Sequence, residues 1–220
     1  VLDPNVDRAR FGVRYCTGGY IFQAHDRAHG ALMSGPTWPD EFNWFDGQGI
    51  PDAFNLNPLT SRTTPGEALV IGIGVCDLNA RQVRTFCDWH VAHRPGGIEF
   101  TTAQLYEGRS FTLVRDVSLN GRTLRSRTTL ANDGRGEVPV RWFPHPFYPQ
   151  PRTDELLWVN IPLRWRDGAG YTRCGNGFIA RTGWPWTEGH YLPLDHDAAM
   201  PLVLVQRHPK LGLVTAACSY

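Results

Sequence analysis

The chain has 220 residues, 41% hydrophobic and 20% charged, with a formal net charge of +1 and a single lysine, Lys210. That is the composition of an ordinary globular protein long enough to bury a sizeable core. It excludes a polyanion-binding surface, since there is no Lys/Arg run, and no apolar run approaches the length of a membrane-spanning helix. Five scattered cysteines, odd in number and without a CxxC spacing, predict free thiols in a reducing compartment, so a cytoplasmic location is the default. No signal peptide is evident, although Val1 is not a start methionine, which leaves room for an earlier segment. Eight Trp, 7 Tyr, 11 Phe, 23 Gly and 17 Pro favour many short strands and long aromatic loops over helices.

In chain order, residues 1–9 read as a polar lead-in and Phe11 to Gln23 as a strand interrupted at Gly18-Gly19. Asp26 to Gly30 is a turn. Residues 34–66 form a long segment of little regular pattern, carrying Trp38, Phe42, Trp44, Phe45 and Phe54 among acids and amides; loops of this length are often functional. Ala68 to Val75 is a continuous apolar run, predicted as a strand buried on both faces. Arg81 to His93 is the one plausible short helix or irregular connector. Ile98 to Leu105, Ser110 to Leu119 and Thr123 to Leu130 are successive strands, the last two joined at Asn120-Gly121, where both positions are expected to take positive φ. Glu137 to Phe143 reads as a strand that runs into prolines, and Leu156 to Arg166 as another with a Trp/Arg face. Residues 181–198 form a second aromatic loop, and Leu202 to Arg207 with Leu211 to Ser219 close the chain as strands. With no repeat and no linker, the prediction is a single antiparallel all-β domain over residues 1–220.

The central stretch is Trp142-Phe143-Pro144-His145-Pro146-Phe147-Tyr148. Pro144 removes a ladder N–H and Pro146 biases His145 toward extended backbone, so the imidazole leaves the sheet in a restricted direction among rings. That suits a proton donor aimed at a ligand, and equally a strand-end histidine satisfied by a carbonyl. Other chemistries find less support. His25/His29 and His90/His93 have helical or loop spacings without an HExxH or Cys/His cluster, so no metal site is expected. Neither a nucleophile elbow nor a nucleotide-binding glycine loop is present, and no cofactor is implied. Sugar chemistry fits the residue types better. Rings cover the C–H face of a pyranose while Arg, Asp, Asn and His satisfy its hydroxyls, though most Trp in such a fold serve packing alone. The candidate sugar contacts are Arg14, Asp52, His90, Trp142, Trp184 and Glu188. Arg14, between Val13 and Tyr15, is either paired with a carboxylate such as Asp26 or Asp40 or forked onto sugar hydroxyls.

Several segments together resemble aldose 1-epimerase-like (galactose mutarotase-like) proteins. They are Phe11-Gly12-Val13-Arg14-Tyr15 with Gly18-Gly19-Tyr20-Ile21, Gly35-Pro36, Gly49-Ile50-Pro51-Asp52-Ala53-Phe54, Ile71-Gly72-Ile73-Gly74-Val75, and Pro144-His145-Pro146-Phe147-Tyr148. The resemblance runs from about residue 10 to the end of the chain. It implies a large antiparallel β-sandwich, the galactose mutarotase-like supersandwich, with a sugar cleft across one sheet. It further implies cofactor-free interconversion of α and β anomers of an aldose or modified sugar. A histidine, matched here by His145, protonates the ring oxygen, and a carboxylate takes the anomeric proton. Arg14 is the best match to a sugar-binding arginine. Two departures stand out. Ala53 follows Asp52 where relatives often carry an acid, and no glutamate occupies the C-terminal position of the family's base. Either the chain stops short of its final strands, or Glu188, Asp195 or Asp197 serves instead, or the protein binds sugars without turning them over. A glycan lyase or hydrolase is a third class, needing a carboxylate pair or a Tyr/His base that nothing here marks.

Overall fold

The computed structural model describes residues 1–33, 48–54, 59–163, 165, 168–183 and 200–218. Among these the protein is all-β, as the composition predicts. Its strands pair antiparallel throughout, and the one helical element is a 3-10 turn at Arg8–Arg10. Where the sequence predicts one domain, the chain divides into two compact units: Val1–His25 with Met33–Phe147, and Asp26–Leu32 with Tyr148–Tyr220. The chain passes from one unit to the other at 25/26, 32/33 and 147/148, and residues 25–31 form a short hairpin of β1 (His25–Asp26) and β2 (Gly30–Ala31), where Asp26 Oδ1 accepts the N–H groups of Ala28 and His29.

The first unit contains β3 (Asp52–Ala53), β4 (Leu59–Thr60), β5 (Glu67–Val70), β6 (Gly74–Asp77), β7 (Gln82–Phe86), β8 (His90–Arg94), β9 (Gly97–Tyr106), β10 (Arg109–Asn120), β11 (Thr123–Asn132) and β12 (Phe143–Pro144). These make two four-stranded sheets, ordered β4-β5-β6-β7 and β11-β10-β9-β8, and a two-stranded ladder of β3 with β12. The long meander β9-β10-β11 follows the alternation of its sequence. Phe111, Leu113, Arg115 and Val117 of β10 are buried while the residues between them are half-exposed. Phe100, Phe111 and Leu113 are fully buried in the principal core with Phe54, Leu59, Leu69, Ile71 and Trp89. Each such side chain contributes about 1.5–3 kcal/mol by leaving water.

Turn chemistry sets the registers. Asn120 pairs with Thr123, so the two loop residues are Gly121 and Arg122, and of these only Gly121 (φ 56) is left-handed. The hairpin is therefore of the glycine-first kind, one residue later than an Asn-Gly turn would place it. Tyr106 pairs with Arg109 across Glu107 (φ 47) and Gly108 (φ 81), both left-handed. Glu107 holds that conformation while its carboxylate accepts from Ser61 and Arg62.

Several segments differ from their predicted form, among them the strand predicted over Leu156 to Arg166, which is observed over Glu155–Val159. Residues 11–23 make only isolated bridges at Tyr15 and Ile21: successive N–H groups go to different partners, Cys16 to Asp52 and Thr17 to Gly72, and the chain then bends at Gly19 (φ 70). The apolar run 68–75 is two strands, β5 and β6, folded over a turn at 71–73 that Gly72 (φ 74) makes accessible. The predicted connector at 81–93 is β7 and β8; its alternation is hidden by polar outward residues such as Arg84, which pairs with Asp77 across the hairpin (2.6 Å). The strand predicted over Glu137–Phe143 shrinks to Phe143–Pro144.

The second unit contains β13 (Glu155–Val159), β14 (Tyr171–Arg173), β15 (Ile179–Arg181), β16 (Leu202–His208) and β17 (Gly212–Cys218), ordered β14-β15-β13-β16-β17 in one sheet. Ile161, Leu163 and Ile179 form its core. Buried His208 anchors the last hairpin: its Nδ1 accepts the N–H groups of Lys210 and Leu211, so Nε2 carries the proton and donates to the Leu32 carbonyl (2.9 Å).

Gly18 is a sterically required glycine in the first unit. A Cβ there would lie 2.4–2.6 Å from ring carbons of Trp89, whose indole N–H is held on Thr17 Oγ1 at 2.8 Å. Gly18→Ala is expected to cost roughly 1–3 kcal/mol through overpacking. Urea unfolding followed by tryptophan fluorescence measures it; an unchanged midpoint would show that the Trp89 ring can move aside.

Candidate functional site

The backbone around His145 is built on residues 49–53. Gly49 is left-handed (φ 74), and a Cβ there would sit 2.0 Å from the Ile21 carbonyl oxygen, so only glycine allows the approach. On one side the Ile50 N–H donates to Ile21 (2.7 Å) and the Asp52 carbonyl accepts from Cys16 (2.8 Å). On the other, β3 pairs with β12, placing Phe143 opposite Ala53 and Pro144 opposite Asp52. Pro144 has no N–H to give, and the ladder continues past it through His145 N–H to Pro51 (2.8 Å) and Phe147 N–H to Gly49 (2.8 Å). The two prolines therefore leave His145 with a bonded backbone and a fixed direction.

Alternation along this ladder separates two faces. His145 shares one with Phe143 and Phe147, whose rings lie 5.3 and 4.6 Å from the imidazole, centroid to centroid. Tyr15 packs edge-on at 5.7 Å, and its hydroxyl lies 3.0 Å from His145 Nδ1. Arg14 Nε donates to the same hydroxyl at 3.0 Å, and its guanidinium rests over the Tyr15 ring. With Arg14 donating to the phenol oxygen, the hydroxyl proton is available to Nδ1. One assignment consistent with these distances runs Arg14 to Tyr15 to His145 Nδ1, with the imidazole proton on Nε2. Burial among the rings, and next the nearby Arg14 cation, lower the His145 pKa from 6.5 to about 4. At neutral pH the group is an uncharged imidazole able to donate through Nε2–H.

Asp52 occupies the opposite face. Its carboxylate forms an ion pair with Arg115 of β10 and accepts from Thr128 Oγ1 of β11 (3.0 Å). Arg115 also donates to Thr128, to Ser126 (2.9 Å) and to the Gly19 carbonyl (3.4 Å). Both side chains are removed from water, at 1% and 4% exposure. Burial lowers the Arg115 pKa from its ordinary value, and the neighbouring Cys16 opposes that shift. Gly19 lies against this arginine, with its Cβ position 3.1 Å from Arg115 Cβ and Nε.

Of the predicted site residues, the structure brings His145 and Arg14 together through Tyr15. Of the two carboxylates weighed for Arg14, Asp26 holds the N–H groups of Ala28 and His29 and contacts the His29 ring, and Asp40 lies outside the described residues. Asp52 is adjacent in the ladder but committed to Arg115 on the other face, so it is not aligned with His145. Trp142 packs half-buried against the principal core. His90 sits exposed on β8 opposite Thr101, which is itself opposite Val114 on β10. That row belongs to the face of the sheet that Arg115 does not share. Trp184 and Glu188, with the alternative acids Asp195 and Asp197, lie outside the described residues. Among the described residues no group of three His, Cys, Asp or Glu could hold a metal ion, and no helix is long and apolar enough to cross a membrane. Tyr15 and Arg115 are the residues that sequence reasoning missed. Arg115 was legible as the charged residue in the inward register of Phe111, Leu113 and Val117. Tyr15 carried no such mark beyond its place beside Arg14.

No protein-family model, no curated protein and no solved structure matches the chain.

The His145 environment has a direct test. Its imidazole is expected to titrate by NMR with a midpoint near 4, and Arg14→Met to raise that midpoint by removing the cation. Because the folded pKa is depressed, the stability linked to this group is present above pH 6.5 and is lost as pH falls from 6.5 toward 4, where the unfolded chain binds the extra proton. A midpoint near 6.5 in the native protein would contradict the buried, ring-packed placement.

Proposed function

We propose that the chain acts on an aldose or a modified sugar as an aldose 1-epimerase-like isomerase, with His145 hydrogen-bonding the ring oxygen. The observation that carries this reading is the contact of Arg14 with the Tyr15 hydroxyl and of that hydroxyl with His145 Nδ1, which in the Nε2–H tautomer leaves one donor on an imidazole set among aromatic rings. The chemistry is balanced and needs no cofactor. The anomeric hydroxyl gives its proton to a base, the C1–O5 bond breaks, and O5 takes a proton from the donor. The aldehyde then turns about C1–C2 and the steps reverse. A neutral imidazole can serve as the electrophile at O5, polarising the developing alkoxide without starting as imidazolium. Only about one molecule in a thousand is protonated at neutral pH for a pKa about 3 units lower, so the hydrogen-bond donor form dominates. Arg14 would grip sugar hydroxyls from the rim, as the resemblance implies, while remaining on Tyr15.

A second reading, a sugar-binding module without turnover, is favoured by one observation. The carboxylate nearest His145 along the ladder, Asp52, is buried in an ion pair with Arg115 and so is withdrawn from base catalysis. The catalytic reading leaves its base unidentified among the described residues.

Exchange NMR on the anomeric signals of a panel of aldoses separates the two. The isomerase reading predicts cross-peaks above the spontaneous rate, and a loss of turnover of ~10² or more in His145→Asn with binding retained. Line broadening without exchange would support the binding module, and equal turnover in His145→Asn would remove His145 from the chemistry.

A further inference from the structure

Most sheet edges in the described residues are protected in a recognisable way. In the first unit β7 carries Arg84, β8 carries Arg94 and β11 carries Arg125 and Arg127, while β4 is only two residues long. The two-residue β12 contains Pro144. In the second unit the edge strand β14 has three residues and includes Arg173. Short length, charge and proline are the usual devices that stop a sheet from pairing onward.

β17 has none of them. It runs Gly212-Leu213-Val214-Thr215-Ala216-Ala217-Cys218, with no charge and no proline. Its ladder with β16 is regular over all seven residues, with no bulge to twist it away. Among the described residues no second strand pairs with it. Leu213, Thr215 and Ala217 are exposed on one face and Val214, Ala216 and Cys218 are half-buried on the other. A strand of this kind offers its outer N–H and C=O groups as a template for another strand.

We infer that β17 is an interaction surface and that its partner is β17 of a second copy of this chain, paired antiparallel about a two-fold axis through Thr215. The sequence is self-complementary in that register. Gly212 faces Cys218, Leu213 faces Ala217, Val214 faces Ala216, and Thr215 faces itself. Leu213 and Val214 each meet an alanine, Cys218 meets a glycine, and no charges are opposed. Threonine against threonine is a favourable cross-strand pair. The closed two-fold ladder joins two five-stranded sheets and uses up both open edges, so assembly stops at the dimer.

Sedimentation velocity of the 220-residue chain over roughly 1–100 μM tests this. The expected result is a concentration-dependent dimer of the 24.7 kDa chain. Thr215→Lys, an exposed change that sets two like charges against each other, is expected to return it to monomer. In a Cys218→Ser background, Thr215→Cys is expected to form an intermolecular disulfide on mild oxidation, whereas Leu213→Cys alone is not and Leu213→Cys with Ala217→Cys is. A chain that stays monomeric at every concentration overturns the proposal. So does a dimer that Thr215→Lys leaves intact, or one whose Leu213→Cys variant cross-links as readily as Thr215→Cys.

Discussion

The buried pair of Asp52 and Arg115 is the constraint on which the first unit's site depends. Residues 49–53 form a narrow tract hydrogen-bonded to residues 16–21 on one side and to 143–147 on the other. Backbone bonds hold those segments to each other, and the Asp52 side chain ties the tract to β10 and β11. Two charges taken out of water cost several kcal/mol each, and their attraction repays this only when the remaining donors are also satisfied. Thr128, Ser126 and the Gly19 carbonyl supply that satisfaction. What the pair gives is registry, since it fixes which residue of the tract faces the sheet.

Registry decides the chemistry on the far face. With Asp52 directed at Arg115, the ladder's period of two places His145 with Phe143, Phe147 and Tyr15. The same rings that orient the imidazole also remove it from water, and Arg14 sits close enough to disfavour a second cation. Orientation and neutrality are thus one consequence of one packing arrangement. A histidine so placed is a directed hydrogen-bonding group rather than a cation.

Much of this was legible in the sequence where the physics is local. The meander β9-β10-β11 alternates cleanly, and His145 between two prolines announced its own rigidity. The helix-like reading of 81–93 failed because outward polar residues such as Arg84 masked a strand period that only cross-strand partners make visible. The run 68–75 looked like one buried strand because apolar content does not distinguish a strand from a tight hairpin whose turn is itself buried; Gly72 and Gly74 were the available signal. Asp52 was read as a ligand-facing acid because its partner, Arg115, lies 63 positions further along the chain. Arg115 itself sat in an apolar register and could have been questioned on that ground. Tyr15 acquires its role only when residue 145 is folded against it, and no local pattern encodes that.

The double-mutant cycle of Asp52→Leu and Arg115→Met, read by urea unfolding, tests the central claim most directly. The account predicts that each single change costs about 3–5 kcal/mol by leaving an uncompensated buried polar or charged partner, and that the double change costs much less than the sum. Additive losses, or an Arg115→Met variant as stable as the parent, would contradict the claim that this pair sets the registry of the His145 ladder.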